Sequence, residues 1–286
     1  MSSSFHHAGG ASMPDPAQMA AIARIAYSEA GIVIAPGKTS MVQSRLAKRL
    51  RALDLPDYDS YLELVDSEAG QEERRRMISA LTTNVSHFFR EAHHFDTLRN
   101  EVLPPLLAKV RAGGRARLWS AGCSNGQEAW SMAMTVLDLM PDAPEHDLRI
   151  LATDIDPLVV EKGRSATYDT QMVAGVDPAL RKRFFEAAAG QHRLIPAAQS
   201  LVSFHELNLH APWPMRGPFD AIFCRNVVIY FDAETQDRLW HRFAEVLPPG
   251  GWLMVGHSER VPVAPASRFV TAGITTYRLP PAAGNK

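Results

Sequence analysis

The sequence predicts a doubly wound α/β sheet, preceded by a helical domain and carrying a small inserted subdomain. Three observations predict it. Strand-like and helical segments alternate across residues 115–280, the pattern of a parallel sheet covered on both faces. An apolar strand, Arg117 to Ala121, runs into a small-residue turn, Gly122 to Gly126, and directly into a helix. Residues 17–80 carry apolar residues at helical spacing.

Taken in order, residues 1–16 hold Ser, Gly and His without an apolar run, so they read as a flexible tail rather than a signal peptide. Residues 17–80 form the expected helical domain. Met19, Ile22, Ile25 and Ala26 mark a first helix stopped by Gly31; Met41, Leu46 and Leu50 mark a second, closed near Leu55-Pro56. Tyr58 to Val65 and Glu72 to Leu81 add two more. Residues 81–114 read as a linker to the sheet. In the domain expected over 115–286, strands fall at Arg117–Ala121, Leu148–Thr153, Leu201–Leu207, Phe219–Cys224 and Trp252–Gly256. Helices are expected at Gln127–Leu139, from Pro157 to Gly163, and at Ala233–Leu247, the last ended by Pro248-Pro249-Gly250-Gly251. Phe269 to Leu279 reads as a closing hairpin arm. Residues 165–200 break the alternation; Tyr168, Phe184, Phe185 and Ile195 mark them as an inserted subdomain.

Composition narrows the function classes. The chain has 286 residues, 46% hydrophobic and 21% charged, as expected of a water-soluble globular protein. A net charge of −1 gives no global field for nucleic acid. No apolar run approaches the roughly 18 residues of a membrane span, so direct membrane insertion is not expected. Cys123 and Cys224 lack zinc spacing and fit a reducing cytoplasm.

The glycine turn is a place where backbone approaches a nucleotide-like ligand closely, and Glu128 decides which kind. A phosphate ligand wants bare amides and a Lys at the helix start. A carboxylate there repels phosphate and welcomes a cation; S-adenosylmethionine has a sulfonium and an ammonium but no phosphate. Asp154 ends the second strand, where an acid accepts hydrogen bonds from ribose hydroxyls, although Asp also caps helices. Asp156, before Pro157, is the better N-cap. Arg225, Asn226 and Tyr230 follow an apolar strand at the sheet's carboxyl end; Tyr230 also suits a core position with a satisfied hydroxyl. Asn208 suits either an adenine edge or an Asx-turn. Asn84, Ser86 and Arg90 offer polar groups beside Phe88 and Phe89, although by its residues alone the segment 81–91 reads as a capped linker helix rather than a site. His87, His93 and His94 have no acid or Cys at matching spacing, so no metal is expected. Arg45, Lys48 and Arg49 share one helix face; most such charge runs are solvated surface, but with no acidic residue in that helix the face also suits docking of an acidic partner.

Five segments, in order, resemble the CheR family, the chemotaxis receptor glutamate O-methyltransferases. They are Leu-Thr-Thr-Asn-Val-Ser-His-Phe-Phe-Arg-Glu-Ala-His-His-Phe at 81–95, Trp-Ser-Ala-Gly-Cys-Ser-Asn-Gly-Gln-Glu at 119–128, Ala-Thr-Asp-Ile-Asp at 152–156, Phe-Asp-Ala-Ile-Phe-Cys-Arg-Asn-Val-Val-Ile-Tyr-Phe at 219–231 and Gly-His-Ser-Glu at 256–259. The resemblance implies a Rossmann-like S-adenosylmethionine methyltransferase sheet. It implies cofactor contacts from Asn84, Ser86, Arg90, Glu128, Asp154, Asn208, Leu209, Arg225 and Asn226, with Arg90 and Tyr230 bordering methyl transfer and S-adenosylhomocysteine as product. Ser86 stands where the family often has Thr, Gln127 replaces a frequent Glu, and Ala129-Trp130 a frequent Pro-Tyr; each keeps the groups the chemistry needs. The family's inserted subdomain can bind a receptor's C-terminal pentapeptide. Here Ala187-Ala-Ala-Gly-Gln-His-Arg193 is short and has a single Gly, which argues against tether binding.

The implied partner is the cytoplasmic signalling region of a chemoreceptor, whose acidic helices Arg45, Lys48 and Arg49 would dock. Two rival readings stand beside it: an S-adenosylmethionine enzyme with another acceptor, and a non-catalytic cofactor-sensing scaffold. Asn226-Val-Val-Ile-Tyr230 lacks the Pro-Pro of adenine-N6 enzymes, and retention of Arg90 and Tyr230 speaks against lost catalysis.

Overall fold

The structure is a computed structural model describing residues 13–265 and 267–281; residues 1–12 of the expected tail lie outside them. The chain forms two compact units, divided in sequence between Thr83 and Asn84.

The first unit is helical: α1 (Pro16–Ala30), α2 (Thr39–Ala52), α3 (Tyr58–Asp66) and α4 (Gln71–Leu81). Local chemistry sets the ends. Asp15 and Gln18 cap α1 reciprocally, each side chain accepting the other's backbone N–H at 2.8 and 2.9 Å. Gly31, at φ +69°, ends it. Asp57 accepts from Ser60 N–H at 2.9 Å to start α3. In α2 the buried face is Val42, Leu46 and Leu50, so Val42 rather than Met41 begins the apolar stripe. These residues share the core with Ile22, Ile25, Tyr61, Val65 and Met77.

The second unit opens with α5 (Ala92–Thr97), a π-turn over Leu98–Val102 and α6 (Leu103–Arg111). The residues expected as a linker over 81–114 are therefore mostly helical, and from Asn84 onward they belong to this unit. There follow β1 (Ala116–Ala121), α7 (Gln127–Leu139), β2 (Leu148–Asp154) and α8 (Pro157–Ser165). The inserted region supplies β3 (Thr167–Tyr168), α9 (Thr170–Val173), α10 (Pro178–Phe184), β4 (Phe185–Ala188), β5 (Gln191–Leu194) and α11 (Pro196–Gln199). The chain returns through β6 (Val202–Glu206), β7 (Ala221–Cys224), α12 (Ala233–Val246), β8 (Trp252–Val255), β9 (Val270–Gly273) and β10 (Thr276–Arg278).

Among the described residues the main sheet has seven strands in the order β6-β2-β1-β7-β8-β10-β9. The first five in that order are parallel; β10 and β9 close it as an antiparallel hairpin. β7 and β8 are buried at every position, the burial pattern of central parallel strands covered on both faces. The chain runs from β1 outward to β2 and β6, then re-enters as β7 on the other side of β1. The topological switch point lies between β1 and β7, where a doubly wound sheet binds its ligand. The insertion forms a separate antiparallel sheet, β3-β5-β4. The Tyr168 hydroxyl donates to the Asn125 carbonyl at 2.6 Å, fastening this subdomain to the glycine turn. Phe88 packs edge-on to Tyr168 and Phe185, with ring centroids 5.0 and 5.5 Å away.

Candidate functional site

The site is built at the carboxyl ends of β1, β2 and β7. After β1 the chain turns at Gly122, φ +85°, a conformation that favours glycine. A Cβ there would lie 2.3 Å from Val227 Cγ2. The small residue thus admits the loop after β7 as well as the turn itself. Gly122 and Cys123 both donate to the Thr153 carbonyl at 2.8 Å, tying the turn to the end of β2.

Glu128 sits in the first turn of α7, almost fully buried. Its Oε1 accepts from the Ser120 hydroxyl at 2.6 Å and its Oε2 from Arg225 Nη1 at 3.1 Å. Burial pushes its pKa up; Arg225 and Ser120 oppose that. The sequence reading gave Glu128 as a carboxylate awaiting a cation. In the structure it already has one, but Arg225 is shared. Its Nη2 donates to the Arg90 carbonyl and lies 3.3 Å from Glu91 Oε2. Two carboxylates, Glu128 and Glu91, thus face the Arg225 guanidinium. Glu91 is a site residue that the sequence reading missed; its position directly after Arg90 was the available signal.

Asp154 is buried at the end of β2. Its oxygens accept from Ser124 N–H at 2.8 Å and Asp156 N–H at 3.1 Å. Burial raises its pKa to about 6 against those hydrogen bonds. Asp156 caps α8 by accepting from Leu158 N–H, and also takes Asn84 Nδ2 at 2.7 Å. The Asn84 carbonyl accepts from Ser124 Oγ at 3.1 Å, so the 84–90 segment is fastened to the glycine turn. Ser86 and Arg90 are half-buried farther along it; Arg90 Nη1 donates to the Val85 carbonyl at 3.1 Å.

After β7, Asn226 adopts φ +60° and Tyr230 is half-buried in the 3₁₀ turn Val228–Tyr230. Asn208 makes the Asx-turn: its Oδ1 accepts from His210 N–H at 2.9 Å. Leu209 is buried in the aromatic core with Trp119, Phe219 and Phe243. Direct contacts thus join Glu128, Arg225 and the Arg90 backbone in one group, while Ser124 and Asp156 link Asn84 with Asp154 in a second. Ser86, Asn208, Leu209 and Tyr230 stand on neighbouring segments.

The donor set suits a cationic, nucleoside-bearing ligand such as S-adenosylmethionine. Asn226 Oδ1 and Gln127 Oε1 are buried acceptors without a protein partner, and carboxylates outnumber the guanidinium. Glu91, His93 and His94 bring potential metal ligands within 4.8 Å of one another, an acid among them that the spacing argument did not count. The Glu91 carboxylate is already engaged by Arg225 and by His257 Nδ1 at 3.3 Å. His94 is fully buried, its Nε2 3.0 Å from Thr275 Oγ1, and burial drops its pKa to about 4, so it is neutral.

In the first unit, the expected docking residues have other duties. Arg45 donates to the carbonyls of Leu81 and Thr82 at 2.5 and 2.8 Å and to Thr83 Oγ1 at 2.7 Å. Arg49 grips Glu73 through Nε at 2.9 Å and Nη2 at 2.5 Å, and Tyr61 donates to the same carboxylate. Helix α2 holds no acid, yet α4 supplies one. Lys48 is exposed.

Comparison with known proteins agrees with this geometry. Residues 84–278 match the family model described as CheR methyltransferase, SAM binding domain, and residues 17–82 match CheR methyltransferase, all-alpha domain. A probable chemotaxis protein methyltransferase of Rhizobium etli is 51% identical over 256 residues, 88% of this chain and 96% of that protein. The chemotaxis protein methyltransferase of Escherichia coli is 43% identical over 90% of this chain and 89% of its own. Chemotaxis protein methyltransferase 2 of Pseudomonas aeruginosa is 39% identical over 88% of this chain and 89% of its own.

Proposed function

The chain belongs to the CheR methyltransferase family, an S-adenosylmethionine-dependent enzyme family, and from that premise we propose that it methylates glutamate side-chain carboxylates on the cytoplasmic signalling helices of a chemoreceptor. The observation that carries this reading is the Glu128–Arg225–Glu91 cluster at the β1/β7 switch point, with the Arg90 backbone drawn into it.

When bound, S-adenosylmethionine supplies an electrophilic sulfonium methyl; the protein's task is placement. Glu128 and Asn226 Oδ1 are suited to the cofactor's cationic end, and Asp154 to its ribose. A glutamate side chain has a pKa of about 4.3, so the nucleophile is ionised and needs no general base. Rate comes from holding carboxylate oxygen, methyl and sulfur in line, a contribution of order 10⁵ or more in effective concentration, and from shedding the carboxylate's water. Arg90 is placed to hold either the methionine carboxylate or the incoming glutamate. Tyr230, on the turn after Asn226, would orient the reacting groups. Receptor docking falls to the exposed charge on α2, chiefly Lys48, by complementarity to an acidic helix. The work belongs to the cytoplasm. Among the described residues no helix is long and apolar enough to cross a membrane.

The test is transfer of labelled methyl to receptor-containing membranes. The label should appear as a base-labile ester and vanish when the receptor's acceptor glutamates are replaced by alanine. Label that persists in those receptors would overturn the glutamyl assignment. Binding of a receptor C-terminal pentapeptide is not part of this reading: β4 and β5 are joined by the tight turn Ala189-Gly190, both at positive φ. Calorimetry with such a peptide should register no heat.

A further inference from the structure

The Gly-His-Ser-Glu segment at 256–259 has no part in the chemistry described above, yet the structure places it behind both walls of the site. β7 and β8 are parallel neighbours, Cys224 beside Val255, so the loops leaving them run together. Glu259, 3% exposed, turns back between them. Its Oε2 accepts from Asn226 N–H at 2.9 Å and Gly256 N–H at 2.5 Å; its Oε1 accepts from Val228 N–H at 2.9 Å. The carboxylate meets backbone amides rather than a basic side chain. We propose that Glu259 is a positioning residue for methyl transfer, a buried carboxylate clamp that sets the loop carrying Arg225, Asn226 and Tyr230.

The geometry gives the clamp a specific consequence. Asn226 is held at φ +60°, a left-handed conformation that few non-glycine residues adopt. The N–H groups on either side of Val227 are both bound by Glu259, so that conformation is fixed from outside the loop. Val228 opens the 3₁₀ turn that ends at Tyr230, and Val227 lies against Gly122. Gly256 has to be glycine: a Cβ would sit 2.6 Å from Asn226 Nδ2 and 2.7 Å from its backbone nitrogen. The next residue, His257, approaches Glu91 Oε1 at 3.3 Å through its backbone nitrogen and its ring Nδ1. One four-residue turn therefore braces the residue after Arg90 and the loop that carries Tyr230.

The role rests on the proposed reaction, but its test does not depend on the acceptor. In Glu259→Gln the side chain keeps its size and loses one acceptor oxygen, leaving an amide N–H₂ facing a backbone N–H. Hydrogen exchange at Asn226 and Val228 should quicken by about tenfold, and S-adenosylhomocysteine should bind more weakly by about tenfold in calorimetry. Per binding-competent site, kcat should fall by about tenfold while KM for the receptor stays within about twofold. Unchanged exchange and unchanged kcat in the folded variant would refute the proposal. Loss of thermal stability alone, with kcat per competent site intact, would make Glu259 structural and refute it equally. Where Glu259→Gln does not fold, Glu259→Asp, charged but one methylene too short to span both loops, is read by the same measurements. Should receptor glutamate not be the acceptor, the kcat arm is lost, but exchange and product affinity still decide the role of Glu259.

Discussion

At the scale of single residues, Arg225 has the heaviest duties. Its side chain is 2% exposed and serves Glu128, Glu91 and the Arg90 carbonyl together. Arg225→Ala strands Glu128 without its counter-charge, a change that costs about 3–5 kcal/mol when one partner of a buried pair is removed. Arg225→Lys keeps the charge but not the planar fork, so it cannot bridge both carboxylates. We expect urea unfolding to register the first loss and calorimetry to show S-adenosylhomocysteine bound at least about tenfold more weakly by both variants. Wild-type affinity in Arg225→Lys would count against the fork. Asp154 sets a pH dependence with two opposite signs. Burial raises its pKa from 3.8 to about 6, so between those values the folded chain holds a proton that the unfolded chain has released. Its contribution to stability is therefore fully present at low pH and lost as pH rises through about 6. Under the ribose role proposed for Asp154, cofactor affinity should run the other way, falling as pH drops below about 6, because protonation removes an acceptor. A titration of product affinity from pH 5 to 8 checks this, and Asp154→Asn should flatten the profile.

At the scale of elements, helix α2 shows what pattern reveals and what it hides. Its apolar stripe was legible from spacing, as were the strands at Leu148–Asp154 and Trp252–Val255, because buried parallel strands and amphipathic helices write their period into the sequence. The partner of Arg49 was not legible. Glu73 lies 24 residues away on α4, and only the fold brings the two together. Glu91 and Glu259 stand inside segments singled out in the sequence, but only the fold brings Arg225 to the first and the Asn226 and Val228 amides to the second. The turn at Gly122 was read as a close approach of backbone to a ligand, and the neighbour that needs the space in the structure, Val227, comes from a loop about a hundred positions later. The consequence for α2 is a divided prediction. Arg49→Ala leaves the largely buried Glu73 carboxylate with the Tyr61 hydroxyl, and the helical unit should lose about 2–3 kcal/mol, discounted for Arg49's partial exposure. Lys48→Glu should leave the melting temperature unchanged and raise KM for the receptor several-fold. If Lys48→Glu melts early, or if receptor KM ignores it, α2 is not the docking face.

At the scale of the whole molecule, the charge balance decides how a receptor is found. The net charge of −1 supplies no long-range attraction toward an acidic partner. In the proposed docking on α2 the electrostatic help is local, since Arg45, Lys48, Arg49 and Arg51 occur without an acidic residue between Thr39 and Ala52. With Arg45 and Arg49 turned inward, that help is a small number of exposed charges. Screening at physiological salt has a length of about 8 Å, which confines their effect to contact range. The cofactor site proposed around Glu128 and Arg225 is different: both residues are buried, and added salt hardly reaches them. Raising salt from about 50 to 300 mM, which shortens the screening length from about 14 to 6 Å, should raise receptor KM several-fold while leaving the dissociation constant of S-adenosylhomocysteine within about twofold. Lys48→Glu should remove most of the salt response. A salt response shared equally by receptor KM and product affinity would place the screened charges in the cofactor site, and receptor recognition would then have to rest on shape and apolar contact instead.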